Sequence, residues 1–240
     1  QYIGIINIMK IAVLQLNLKV GDVSGNTDKI ANKLASISKQ GVDVLVCSEC
    51  CLTGYPTQDL VLYDSFITVV EQQLERLCRY SEQFPTTAIC VGAPRKENNK
   101  LYNSAYIIQA GNIKLIQDKI HLPNTDVFDE KRYFSSGESQ SVIEIAGKRL
   151  GLAICEDAWT YDATGTPLYS HDPIEQLAQK QVDLMVVLSA SPFELGKKEL
   201  RQSLFLAHAK RHHVPVVVVN QVGGNDQLIF DGNSFVLNEE

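Results

Sequence analysis

Two hydrophobic periods alternate along this chain, and that alternation limits its architecture more than any other feature. Residues 10–16 form a short β-type apolar run. Residues 24–40 then show helical spacing, with Ile30, Leu34 and Ile37 on one face and Ser24 placed to cap the start. Residues 42–47 read as a buried strand, 66–80 as a helix with Val69, Leu74 and Leu77 inward, and 87–92 as a strand. Two pairs of apolar runs, 101–109 with 113–119 and 142–145 with 149–154, flank Ala110-Gly111-Asn112 and Gly147; both are hairpin signals. Residues 174–181 are helical, 184–188 a strand, 197–212 a long helix and 216–220 a strand, and 228–237 opens a further hairpin. Strands that alternate with helices at both ends and pair as hairpins in the middle predict an α/β fold, with a mixed sheet or two sheets and helices outside. Residues 54–64 and 122–138 lack periodicity, and long ordered loops usually serve function.

Size and composition remove several classes. A chain of 240 residues allows one large domain or two small ones. At this size about 70–75% of the unfolded surface is buried, so no staples are needed. The hydrophobic content of 45% and charged content of 21% exclude disorder, collagen and a disulfide scaffold. A net charge of −6 argues against a general nucleic-acid binder. No apolar run approaches the ~20 residues of a membrane span. The six cysteines are expected as free thiols in a reducing compartment, hence a cytoplasmic setting. Residues 1–8 carry no basic n-region, and Met9-Lys10 reads as a natural start, so residues 1–9 are expected as an upstream extension or the start of the first strand.

Three residues have settings that suit catalysis. Cys155 ends the apolar run 150–154, and a thiol where a strand turns can project into a cleft with the following amides aimed at an oxyanion. Glu49 follows the buried strand 42–47, at the carboxyl end where α/β sheets hold ligands, and can serve as a general base. Lys119 ends the run 113–119, and a fixed ammonium can stabilise an oxyanion or favour a thiolate. Singly, each has a commonplace reading: a core cysteine, a solvated loop acid, an exposed hairpin lysine. A Glu, a Lys and a Cys that each lie just beyond a predicted strand form a far more specific set.

With these three residues in place, the chain resembles the nitrilase (carbon–nitrogen hydrolase) superfamily, whose members use a Glu–Lys–Cys triad. The closer resemblance is to the glutamine-hydrolysing (amidotransferase) domain of glutamine-dependent NAD+ synthetases. It is carried by SECCLTGYPTQDL (48–60), KIHLPNTDVFDEKRYF (119–134), LGLAICEDAW (150–159), SASPFELGK (189–197) and NQVGGNDQLIFDGNSF (220–235). The resemblance implies an αββα four-layer sandwich, two mixed central sheets with outer helices, in a single domain over residues 10–240. It implies Cys155 as nucleophile, Glu49 as general base and acid, Lys119 as the oxyanion-stabilising cation, and Glu130 as a second glutamate beside the lysine. It places Glu156, Ser191 and Lys197 around the amino-acid end of glutamine, and Tyr55 in the pocket wall. Thr125 stands where the family usually has a substrate-positioning Tyr, and Ser48-Glu49-Cys50 where it commonly has Pro-Glu-Leu.

The implied partners are glutamine and a synthetase region, in the same or a separate chain, that would use ATP and Mg to make NAD+ from deamido-NAD+. Homo-oligomeric assembly is also implied, and no metal or organic cofactor is expected for glutamine hydrolysis. A free-standing amidase or carbamoylase of the same superfamily is the alternative enzyme, and a scaffold with a dead site the non-enzyme one. Three weaker features stand apart. Cys47, Cys50 and Cys51 lack a second matched pair for zinc. His208, His212 and His213 are expected as basic residues at a helix's negative end. Gly223-Gly224-Asn225-Asp226 lacks the phosphate-loop pattern and reads as a turn.

Overall fold

The computed structural model of the chain describes residues 2–6, 9–161 and 166–238. Its first half builds a six-stranded sheet from β1 (Tyr2–Ile6), β2 (Met9–Val13), β3 (Val44–Val46), β4 (Ala88–Glu97), β5 (Lys100–Gln109) and β6 (Asn112–Asp118), ordered as numbered. β2, β3 and β4 are parallel and linked through α1 (Val23–Ser38) and α2 (Asp64–Ser81), while the outer pairs are antiparallel. The second half contributes β7 (Val142–Ile145), β8 (Lys148–Ile154), α3 (Pro173–Gln179), β9 (Leu184–Ser189), α4 (Lys197–His212) and β10 (Val216–Asn220). A ribbon of β11 (Val222–Asn225) and β12 (Leu228–Asp231) follows, and then β13 (Phe235–Leu237). The second sheet runs β13-β10-β9-β8-β7, with β8, β9 and β10 parallel.

Side-chain alternation sorts these elements into four layers. Ile11, Val13, Val44, Val46 and Ile107 of the first sheet meet Leu150, Leu152, Leu184, Val186, Val217 and Val219 of the second in one central core. The intervening residues face outward: Ala12, Leu45, Ile89 and Tyr106 pack under Ile30, Leu34, Val70 and Leu77 of α1 and α2. Met185, Val187, Val216 and Val218 pack under Ile174 and Leu177 of α3 and Phe205 and Ala209 of α4. Inner strands are therefore covered on both faces, which is why they read as unbroken apolar runs. The expected αββα sandwich with two mixed central sheets is the observed fold.

Several local expectations are corrected. The first helix is capped by Asp22, whose carboxylate accepts from the Gly25 amide at 3.0 Å, because the helix begins one residue before Ser24. Val70, not the more exposed Val69, faces inward from α2, a phase difference of one residue. Tyr2–Ile6, within the stretch expected as an extension or the start of the first strand, is a strand of its own that pairs antiparallel with β2 at the sheet edge. The strand expected to end at Gly92 continues to Glu97, where Asn98 and Asn99, both at positive φ, turn it into β5. Gly223, Gly224 and Asn225, expected as a turn, lie instead in β11 and pair with β12, so that the turn falls at Asp226-Gln227, and 228–237 is split between β12 and β13. His208 is no exposed cation: its ring is buried, burial holds its pKa below the usual imidazole value, and Nε2 donates to the Ala158 carbonyl at 2.8 Å.

Candidate active site

Three strand ends bring the predicted triad together. Glu49 lies three residues past β3, Lys119 one past β6, and Cys155 one past β8. All three are closed off from solvent, at 1%, 1% and 6% exposure. Lys119 Nζ donates to Glu49 Oε1 at 2.7 Å and to Glu130 Oε1 at 2.8 Å. Burial alone would drive an ammonium to lose its proton, but the two carboxylates and the charge-assisted bonds hold Lys119 well above its ordinary pKa. Cys155 sits at φ 45°, an unusual conformation for a residue with a side chain, and starts a single helical turn, Cys155–Ala158. The first amides of such a turn have no partner within it, which is the arrangement an oxyanion requires. Burial and the nearby Glu49 push the thiol pKa up, opposed by Lys119 and by Ser189, whose Oγ donates to Sγ at 3.3 Å. The balance favours the protonated thiol, next to the Glu49 carboxylate.

The carboxylates are set up differently. Glu49 Oε1 accepts from Lys119 and from Asn103 Nδ2 at 2.7 Å, whereas Oε2 accepts from the Ala190 amide at 2.9 Å. An ionised carboxylate oxygen has two lone-pair sites, so Oε2 keeps one for a proton. Glu130 Oε1 takes both Lys119 and the Tyr55 hydroxyl at 2.8 Å, while its buried Oε2 has no partner. Burial raises the Glu130 pKa to about 7 even though Lys119 and Tyr55 oppose it.

Four further residues build this geometry, and none was singled out from the sequence. Asn103 on β5 orients Glu49 and accepts from the Cys50 thiol at 3.4 Å, so the spare thiol beside the base is engaged elsewhere. Gly92 lets the Ser48–Cys50 loop lie directly on β4: a Cβ there would come within 2.4 Å of the Cys50 nitrogen. Asp157 is fully buried and accepts from the Ile120 and His121 amides at 2.9 and 2.8 Å and from the Ile154 amide at 3.0 Å. It thereby ties the chain after Lys119 to the chain before Cys155. Ser189, which ends β9, is the serine that touches the nucleophile.

The remaining predicted residues fall into two groups. Glu156 and Tyr55 converge with the triad. Glu156 follows the nucleophile, its pKa raised by burial and lowered by Tyr169, Lys119 and Lys197. Tyr55 packs against Phe128 and Phe230 as a wall. Lys197 opens α4, half-buried and paired with Glu194 at 3.5 Å. Ser191 is buried with its peptide gripped on both sides by Asn220, at 2.9 and 3.0 Å. Thr125 lies on an exposed loop, where its carbonyl accepts from the Phe128 amide at 3.1 Å. Among the described residues no group of three or more His, Cys, Asp or Glu is arranged to hold a metal, and all six cysteines are free. No helix among them is long and apolar enough to cross a membrane.

Comparison with known proteins places the chain in a family. The carbon–nitrogen hydrolase family model matches residues 10–240. Glutamine-dependent NAD(+) synthetase from Synechocystis is 42% identical over 238 residues, covering 96% of this chain and 42% of the relative. The synthetase from Thermotoga maritima is 35% identical, covering 95% and 38%. The chain thus spans about two fifths of the length of these relatives. The solved glutamine-dependent NAD+ synthetase from Acinetobacter baumannii superposes with a TM-score of 0.85 at 34% identity, over 96% of this chain and 41% of that one. An amidase of the nitrilase superfamily from Nesterenkonia shares the fold at TM-score 0.81 and 21% identity, over 96% and 83%. From Lys10 to Glu240, this chain belongs to the carbon–nitrogen hydrolase family and is an enzyme of that class.

Proposed function

We propose that this chain hydrolyses the side-chain amide of glutamine through a cysteine thioester and supplies the ammonia to a synthetase region that converts deamido-NAD+ to NAD+. The observation that carries it is the buried Glu49–Lys119–Glu130 cluster set beside Cys155. The similarity to glutamine-dependent NAD(+) synthetases supports the choice of glutamine and of NAD+ synthesis. In this reading ATP and Mg serve the synthetase step and not glutamine hydrolysis.

The geometry supports the following chemistry. Glu49 takes the Cys155 proton on its free Oε2 lone pair, and the thiolate adds to the amide carbon. Lys119 and the amide after Cys155 hold the oxyanion. Glu49 returns the proton to the departing nitrogen, the carbon–nitrogen bond breaks and ammonia leaves a thioester. Water then gives a proton to Glu49 and its oxygen to the thioester carbon, and glutamate and the thiol are restored. A dry site strengthens each of these charge interactions.

Cys155→Ala tests the reading. It removes only a sulfur, so the fold remains and glutamine hydrolysis disappears; full activity in this variant ends the proposal. A panel of glutamine, simple aliphatic amides and N-carbamoyl amino acids tests the substrate, and a strong preference for a non-glutamine amide transfers the site to the amidase or carbamoylase class.

A further inference from the structure

The segment after the nucleophile's helical turn carries a contact that the chemistry above does not use. An isolated bridge between Tyr161 and Pro167, with a bond from the Leu168 amide to the Thr160 carbonyl at 2.9 Å, returns the chain toward that turn. The return lays Tyr169 flat on His121, with ring centroids 3.8 Å apart and planes within 14°. The backbone of His121 is held in turn, because its amide donates to the buried Asp157 at 2.8 Å. From this platform the Tyr169 hydroxyl donates to Glu156 Oε1 at 2.7 Å.

We propose that Tyr169 is a positioning residue for substrate selection: it holds the Glu156 carboxylate ready for a cationic amino group, so the site favours amides that carry an α-amino-acid end over those that lack one. This inference rests on the glutaminase reading and deepens it. A glutamate side chain free to rotate loses conformational freedom when it grips a ligand, and fixing it beforehand removes that cost from binding. A hydroxyl donated to an ionised carboxylate is also among the stronger hydrogen bonds. The stacked ring fixes the direction of that donation, and His121, tied to Asp157, links selection to the same buried carboxylate that joins the Lys119 and Cys155 strand ends.

The charges around Glu156 set the expected pH behaviour. Burial raises its pKa and Glu49 adds to this, while the Tyr169 bond, Lys119 and Lys197 lower it. Tyr169 in turn faces Glu156, Lys119 and Asp157. Losing the hydroxyl therefore makes Glu156 hold its proton to higher pH.

The test is Tyr169→Phe in the full chain, which deletes one oxygen and keeps the stacked ring. Steady-state kinetics are measured with glutamine and with butyramide, which presents the same reacting amide without the amino-acid end. The expected result is a rise of about tenfold in KM for glutamine with kcat changed less than about twofold, and an unchanged kcat/KM for butyramide. The acid limb of kcat/KM for glutamine moves to higher pH, and that for butyramide stays in place. Labelling of Cys155 by a glutamine-analogue diazoketone slows by the same factor, while labelling by chloroacetamide does not, which gives a readout independent of turnover. Equal losses for both substrates, or no loss for either, overturn the role of Tyr169 and leave the glutaminase reading standing. Wild-type protein that turns over butyramide but not glutamine overturns both.

Discussion

Lys119→Met separates the electrostatic role of the central ammonium from its volume. Methionine fills much of the same space, so the loss is one of charge rather than of packing. Lys119 is 1% exposed and bonds two carboxylates at 2.7 and 2.8 Å. Removing one partner of such a buried cluster leaves charge uncompensated and costs about 3–5 kcal/mol. For a domain of this size that lowers Tm by about 6–20 °C, at about 2–4 °C per kcal/mol.

The loss also depends on pH, and its direction is fixed. Glu130 already has its pKa raised to about 7 by burial, with Lys119 opposing the rise. Without Lys119 it rises further. A carboxylate whose folded pKa lies above its unfolded value is least harmful below the unfolded value. Its cost grows as pH climbs from there through the folded value. The Tm deficit of Lys119→Met is therefore larger near pH 8 than near pH 5. Adding Glu130→Gln to the same chain keeps a group for the Tyr55 hydroxyl and removes one orphaned charge, so it recovers part of the deficit near pH 8. Thermal melts of wild type and both variants at the two pH values measure this. A deficit under about 2 °C, or one of equal size at both pH values, refutes the assignment of Lys119 as the counter-ion of a buried carboxylate pair.

Two further outcomes follow from the supporting residues. Gly92→Ala places a Cβ 2.4 Å from the Cys50 nitrogen and 2.9 Å from the Glu49 carbonyl carbon, both backbone atoms that cannot swing aside. Urea melts should show a loss of about 1–3 kcal/mol, and glutamine hydrolysis should fall with it because the displaced loop carries Glu49; an unchanged midpoint and rate refute the close approach. Asp157→Asn keeps the shape but turns a donor toward an amide, because one carboxylate oxygen accepts from Ile120 and His121 and the other from Ile154. It should lower kcat by about 10- to 100-fold with KM nearly constant, the signature of displaced reacting groups rather than weakened binding; an unchanged kcat dismisses the tether.

The site was legible from sequence only in part. Glu49, Lys119 and Cys155 were found because each follows a strand whose apolar run is unmistakable, and strand ends are where a layered α/β fold leaves room for chemistry. Asn103, Asp157 and Ala190 were not. Their bonds to Glu49 and to the Lys119 strand end span 54, 36 and 141 residues, and no local period records a contact of that range. Ser189 illustrates the same limit: only the register at the end of β9 sets its hydroxyl against the sulfur, a contact separate from the substrate role that the resemblance gives Ser191. Thr125 remains a position known by resemblance, on an exposed loop.

What the sequence determined by itself is the layering. Residues such as Leu184 to Leu188 and Val216 to Val219 have no polar face to offer water, so the strands they form must be covered on both sides, and helical stretches of matching period supply the outer cover. What only the tertiary structure decided is the chemistry of the charges. Glu49 and Glu130 are the same residue type, yet one shares its two oxygens among Lys119, Asn103 and Ala190 and keeps room for a proton. The other is held near pKa 7 with an oxygen that has no partner. The difference lies in the distances and burial that two sheets impose on residues far apart in the chain, because the strength of a charge interaction depends on separation and on how much water remains between the groups.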